Sequence, residues 1–127
     1  MDNKKTFPTL GPIIIGTKDI KKAKEFYTNV FGFIVERESL NYLSARGVDG
    51  THIELEEDCE ERFPNWGKHN VGTYKNSEFQ VLDIFAFLDR VKLNGGKVIN
   101  EPRKRSWGSY GAEIQDIDGN TFLITQK

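Results

Sequence analysis

His52-Ile53-Glu54-Leu55 is the segment of this chain best equipped for chemistry. Side chains alternate in a strand, so His52 and Glu54 share one face while Ile53 and Leu55 share the other. A carboxylate placed this way can act as a general base, bind a metal, or receive a cationic or hydroxyl group of a ligand. It can also serve only as the partner of an internal Arg or Tyr. His52 and His69 are the chain's two imidazoles. Together with Glu54 they offer a rearranged metal set, with His52, Glu54 and His69 as ligands. Ordinary polar roles for both histidines are the alternative. Trp66, Trp107, Tyr110, Tyr42 and Tyr74 offer rings that can stack on a planar or cationic ligand, or simply fill a core.

Other chemistries find no support. No Ser/His/Asp constellation, phosphate loop, dinucleotide fingerprint or zinc-finger spacing is present. Cys59 is alone, which excludes an intrachain disulfide framework and fits a reducing, cytoplasmic setting. A formal net charge of -1 argues for neither nucleic acid nor an anionic membrane as partner. Glu56, Glu57, Asp58, Glu60 and Glu61 form an acidic cluster, and Arg103, Lys104 and Arg105 a basic one. The first can attract a cationic ligand and the second an anionic one, although most such runs are solvated surface.

The elements that must position these residues fall into two similar halves. Residues 12–17 form a short, β-branched apolar strand. Asp19 is suited to cap a helix carrying Ile20, Ala23, Phe26, Tyr27, Val30 and Phe31 at helical spacing, with Gly32 taking the left-handed position at its end. Residues 33–38, 40–46 and 51–57 read as three strands. The second half repeats the order. Residues 73–81 are a strand, and Asp83 caps a helix carrying Ile84, Phe85, Phe87, Leu88 and Val91 that Gly95-Gly96 ends. Strands follow from residue 97, at 110–115 and at 121–126. Asp116-Ile117-Asp118-Gly119-Asn120 supplies the tight turn of the closing hairpin. One constant offset places Asp19 on Asp83, Ile20 on Ile84, Gly32 on Gly96 and Val35 on Ile99, as a structural repeat would. The expected organisation is a single α+β domain over residues 1–127. Residues 10–57 and 73–127 are βαβββ modules and residues 58–72 a connecting loop, which serves either as a binding loop carrying Trp66 or as a linker.

The stretch Trp107-Gly108, a strand, Asp116-Ile117-Asp118-Gly119-Asn120 and a last strand resembles the glyoxalase/bleomycin-resistance/extradiol-dioxygenase (vicinal oxygen chelate) superfamily. So do Asp19-Ile20-Lys21-Lys22-Ala23-Lys24-Glu25-Phe26-Tyr27 with Val30-Phe31-Gly32-Phe33, and Asn70-Val71-Gly72-Thr73-Tyr74 leading to Val81-Leu82-Asp83. The bleomycin-resistance branch is the nearest in character. The resemblance implies two βαβββ modules whose curved sheets surround a central cup. It also implies a homodimer with shared grooves. Enzymes of the family hold a divalent metal on His, Glu or Gln at four positions, two from each half. The matching positions here are Pro12, Glu54, Asn76 and Leu123, so one strong ligand of four is present.

These readings converge on a metal-independent protein that sequesters a drug or other small organic molecule, as in antibiotic resistance. No cofactor is expected, and Glu54, Trp66, Trp107, Tyr110, Tyr42 and Tyr74 are the ligand-binding candidates. The alternative is an enzyme, lactoylglutathione lyase-like or dioxygenase-like, with a rearranged divalent-metal site that uses Glu54 as ligand or base. No membrane or nucleic-acid partner is expected in either case.

Overall fold

Two capped helices organise the protein, whose computed structural model describes residues 6–57 and 72–127. Helix α1 (Ile20–Phe31) starts at Asp19, whose extended backbone lets its carboxylate accept hydrogen bonds from the Lys21 and Lys22 N–H groups. It stops at Gly32, which sits in the left-handed region at φ 72°. Helix α2 (Ile84–Leu93) starts the same way, with Asp83 accepting from the Ala86 N–H at 3.1 Å. The apolar residues at helical spacing, including Phe26, Tyr27 and Val30 on α1 and Ile84, Leu88 and Val91 on α2, are buried.

The helices serve two four-stranded sheets. Strands β1 (Ile13–Thr17), β2 (Ile34–Glu38), β3 (Tyr42–Arg46) and β4 (His52–Glu57) pair in the order β1-β4-β3-β2. Strands β5 (Thr73–Val81), β6 (Lys97–Lys104), β7 (Tyr110–Gln115) and β8 (Thr121–Gln126) pair in the order β5-β8-β7-β6. In each sheet the first and last strands run parallel, which the intervening helix permits, and the other pairs are antiparallel. This is the α+β arrangement expected from the sequence. No helix among the described residues is long and apolar enough to cross a membrane.

One aromatic core joins both sheets. Phe31 lies at its centre, with Phe33 on one side of the junction and Phe79, Phe87 and Phe122 on the other, all at centroid distances of 5.0–5.8 Å. Pairs in this range gain about 0.5–1.5 kcal/mol each beyond area burial.

Polar contacts fix the junction more tightly. The Asp116 carboxylate accepts from the Asp118 and Asn120 backbone N–H groups and from Asn120 Nδ2, all at 2.8–2.9 Å, and from the Tyr27 hydroxyl at 2.5 Å. Asn120 Nδ2 also donates to the Gly16 carbonyl at 2.9 Å. Asp118 accepts from the Thr17 hydroxyl at 2.6 Å and the Lys18 N–H at 3.0 Å. The Tyr74 hydroxyl donates to the Ile14 carbonyl at 2.7 Å. The closing turn thus holds β1 and α1 of the first half through three of its own side chains.

The repeat is less exact than its sequence offset. Asp19 and Asp83 play one role, as do Ile20 and Ile84, which open the two helices. Gly32 and Gly96 do not: the left-handed residue after α2 is Gly95, at φ 89°. Gly96 is required for space, since a Cβ there would lie 2.7 Å from Val91 Cγ1, 2.8 Å from the Gln115 carbonyl and 2.9 Å from Phe26 Cε2. Val35 pairs with Ala45, whereas Ile99 falls where β6 slips register against β7 and is 46% exposed.

Two predictions follow from this packing. Gly96→Ala should cost about 1–3 kcal/mol through overpacking, read as a lowered urea midpoint; an unchanged midpoint would contradict the close approach. Tyr27→Phe should cost about 1–3 kcal/mol at neutral pH, because Asp116 loses a buried donor. Burial first, and the Asp116 carboxylate second, hold the Tyr27 phenol well above its ordinary value of 10.0. Its contribution is therefore complete below pH ~10 and is lost as pH climbs through the raised value. The stability gap between parent and Tyr27→Phe should narrow above pH ~10 in urea titrations; a gap that widens there would contradict the assignment.

Candidate functional site

Strand β4 is buried on the side of Ile53 and Leu55, against the helix and core, so Glu54 and His52 project from the helix-free face of the first sheet. Strand β3 is its antiparallel neighbour, with Ser44 directly across from Glu54 and Tyr42 across from Glu56. This register assembles a polar row. The Tyr42 hydroxyl donates to Glu54 Oε2 at 3.2 Å, and Ser44 Oγ and His52 Nε2 share a hydrogen bond of 2.6 Å. Burial raises the Tyr42 phenol, a hydrogen bond with Ser44 lowers it, and the Glu54 carboxylate raises it again. The row therefore presents a carboxylate, a phenol, a hydroxyl and an imidazole on one surface. It can orient polar groups of a ligand or pass a proton along the face. It is not built for acyl transfer: β3 and β4 are both central strands, and their N–H groups are committed to the ladders rather than to an oxyanion.

The other aromatic candidates lie elsewhere. Tyr110 shares the face of buried Ala112 and Ile114 and meets Phe85 of α2 edge-on at 5.6 Å, so it packs on the helix side of the second sheet. Tyr74 stacks on Phe122 at 5.0 Å and ties down β1, a structural position in which burial raises its phenol. Trp107 is 71% exposed, in the turn after β6, with its ring 4.7 Å from the Arg105 guanidinium. Of the aromatic candidates, the structure thus brings Tyr42 together with Glu54. Trp66 and His69 lie outside the described residues.

The charge clusters also resolve into particular roles. Glu57 Oε2 accepts from the Ile20 N–H at 2.9 Å and so caps α1. Arg105 leaves the surface and lies over Gly111 on the second sheet. That placement was absent from the sequence reading, although a Gly inside a strand is the signal of such a close approach.

Residues 9–124 match the family description of the Glyoxalase/Bleomycin resistance protein/Dioxygenase superfamily. The chain belongs to that superfamily. It is 27% identical over 125 residues to YetH of Bacillus subtilis (strain 168), covering 92% of this chain and 97% of YetH. It is 30% identical over 115 residues to a probable lactoylglutathione lyase of Vibrio cholerae, covering 86% of this chain and 83% of that protein. The fold matches that of a glyoxalase-related enzyme from Fulvimarina pelagi with a TM-score of 0.78, at 14% identity, across 95% of this chain and 89% of the other.

Metal-bearing members of the superfamily set the test for a divalent ion. The resemblance assigns Glu54 to one ligand position, and its carboxylate lies on the helix-free face. It assigns Pro12 and Leu123 to two others, and neither has a side-chain donor. It assigns Asn76 to the fourth, in the stretch between Tyr74 and Glu78 where β5 loses register with β8. His52 is engaged by Ser44. Among the described residues no three His, Cys, Asp or Glu side chains gather as a metal site would require. Catalytic divalent sites use about three protein ligands, so the described donor set does not fit one.

Proposed function

We propose that this protein binds a small, amphipathic organic molecule on the helix-free sheet faces without a metal ion. One observation supports the reading: Glu54 lies on the helix-free face, bonded by Tyr42, while the ligand positions that the resemblance assigns to Pro12 and Leu123 hold no donor to share an ion with it. A carboxylate with a phenol beside it suits a ligand bearing a cationic or hydroxyl group. Drug sequestration of the bleomycin-resistance kind is the function this supports. We place the working form as a homodimer in the cytoplasm, with a second copy completing the groove over each face.

A second reading has its own support. Relatives are named lactoylglutathione lyases, and the row Glu54, Tyr42, Ser44 and His52 can move a proton. In that reading Glu54 is the base, and Glu54→Gln abolishes turnover; turnover that survives the substitution removes it.

The binding reading is tested with bleomycin and a panel of planar amphipathic drugs, by calorimetry and melting shift. At least one compound should bind saturably to the parent, and Glu54→Gln should weaken it about tenfold, equivalent to about 1.4 kcal/mol. No binding and no shift across the saturating panel would contradict it.

A further inference from the structure

The helix-free face of the second sheet holds a cavity of about 590 Å³, lined in part by Asn100, Arg103, Arg105, Gly111, Glu113 and Leu123. Its most unusual occupant is Arg105. A Cβ built on Gly111 would lie 3.2 Å from Arg105 Nε, so the guanidinium rests close over the bare backbone there and a side chain would crowd it. The Trp107 ring packs on the same guanidinium, 4.7 Å from Cζ. The Arg105 side chain is only 22% exposed.

This cation is held in place but incompletely satisfied. Its Nε is buried and has no hydrogen-bond partner among the described residues. Glu78 forms an ion pair with it, 3.6 Å from Nη1 and longer than a hydrogen bond, which leaves Nε unsatisfied. Glu113, the acid on the β7 wall, is taken by Lys75 at 3.1 Å. Thr125, paired with Gly111 across the sheet, also buries a hydroxyl without a partner. Desolvating a guanidinium is costly unless an anion or several acceptors compensate it. Its planar fork matches the two oxygens of a carboxylate or phosphate group.

We propose that Arg105 is the anchor for an oxyanion on the ligand, a carboxylate or a phosphate monoester, whose apolar body lies along Leu123 and Ala112. Arg103 adds a second positive charge on the cavity wall. Gly111 and Trp107 are positioning residues that set the guanidinium flat. The proposal rests on the ligand-binding reading above and names the class of ligand: an aromatic or aliphatic acid rather than a neutral or purely cationic compound.

The test uses benzoate, phenyl phosphate and neutral benzamide as probes, followed by calorimetry and Trp fluorescence on the full chain. At least one anion should bind saturably and about tenfold or more tightly than benzamide, and Arg105→Gln should remove that advantage. Which anion binds separates carboxylate from phosphate. Gly111→Ala keeps the charge but lifts the guanidinium, so it should weaken the same anion several-fold; melting curves establish that both variants fold. Benzamide binding as tightly as the anions, or Arg105→Gln binding them like the parent, overturns the anion anchor and leaves the ligand-binding reading standing. No binding of either anion to the parent overturns the anchor as well, and the drug panel then judges the wider reading by itself.

Discussion

The Asp116 carboxylate is the contact on which the geometry of this molecule depends. It sits in the last tight turn, buried, with four donors converging on its two oxygens. One of those donors is the hydroxyl of Tyr27, in the middle of α1. Burial raises the Asp116 carboxyl above its ordinary value, against hydrogen bonds from Tyr27 and Asn120 that lower it. For an acid with a raised folded value, the favourable contribution is full below pH ~3.8 and declines as pH rises through that value. Burial thus works against the charge on this carboxylate, and its four donors hold it. Removing one partner of such a group costs more than the bond's net worth, because the other partner stays buried. This makes the junction between the two halves specific rather than merely apolar, and it presents the Ile14 and Gly16 carbonyls of β1 to Tyr74 and Asn120.

With the halves locked, strand alternation decides what each face offers. The helix side is consumed by the aromatic core around Phe31. The remaining faces carry different chemistry: a carboxylate bonded by a phenol on the first sheet and a packed guanidinium on the second. The resemblance assigns two of the superfamily's metal positions to Pro12 and Leu123, which carry no side-chain donor. In the binding reading, a ring and an alkyl chain in place of donors would leave a surface with separate polar anchors. A ligand would be held by hydrogen bonds and stacking rather than by coordination, which places its affinity in the range set by a few well-placed groups.

Much of this arrangement was legible in the sequence because it is local. Asp19, Asp83 and Gly32 announce helix ends through their own backbone preferences, and all three do what their types suggest. The alternation of His52, Ile53, Glu54 and Leu55 was enough to put Glu54 on the helix-free face. The same rule applied to Tyr110, Ala112 and Ile114 would have turned Tyr110 toward α2. What the chain did not reveal depends on contacts distant in sequence. Gly96 is fixed by Phe26 and the Gln115 carbonyl, not by its φ. The register slip between Tyr74 and Glu78 arises from how β5 meets β8. Arg105 reads as surface charge until Gly111 is seen beneath it.

The most direct test of a metal-independent site is a thermal-shift titration of chelator-stripped protein with Ni, Co, Zn, Mn and Fe(II). A metal at about one hundred times its dissociation constant stabilises a fold by about 2.7 kcal/mol, a melting shift of several degrees for a domain of this size. Melting that stays unchanged with every ion is the expected result. A clear shift that disappears in Glu54→Ala would contradict it and restore a coordinated metal to the centre of this protein's chemistry.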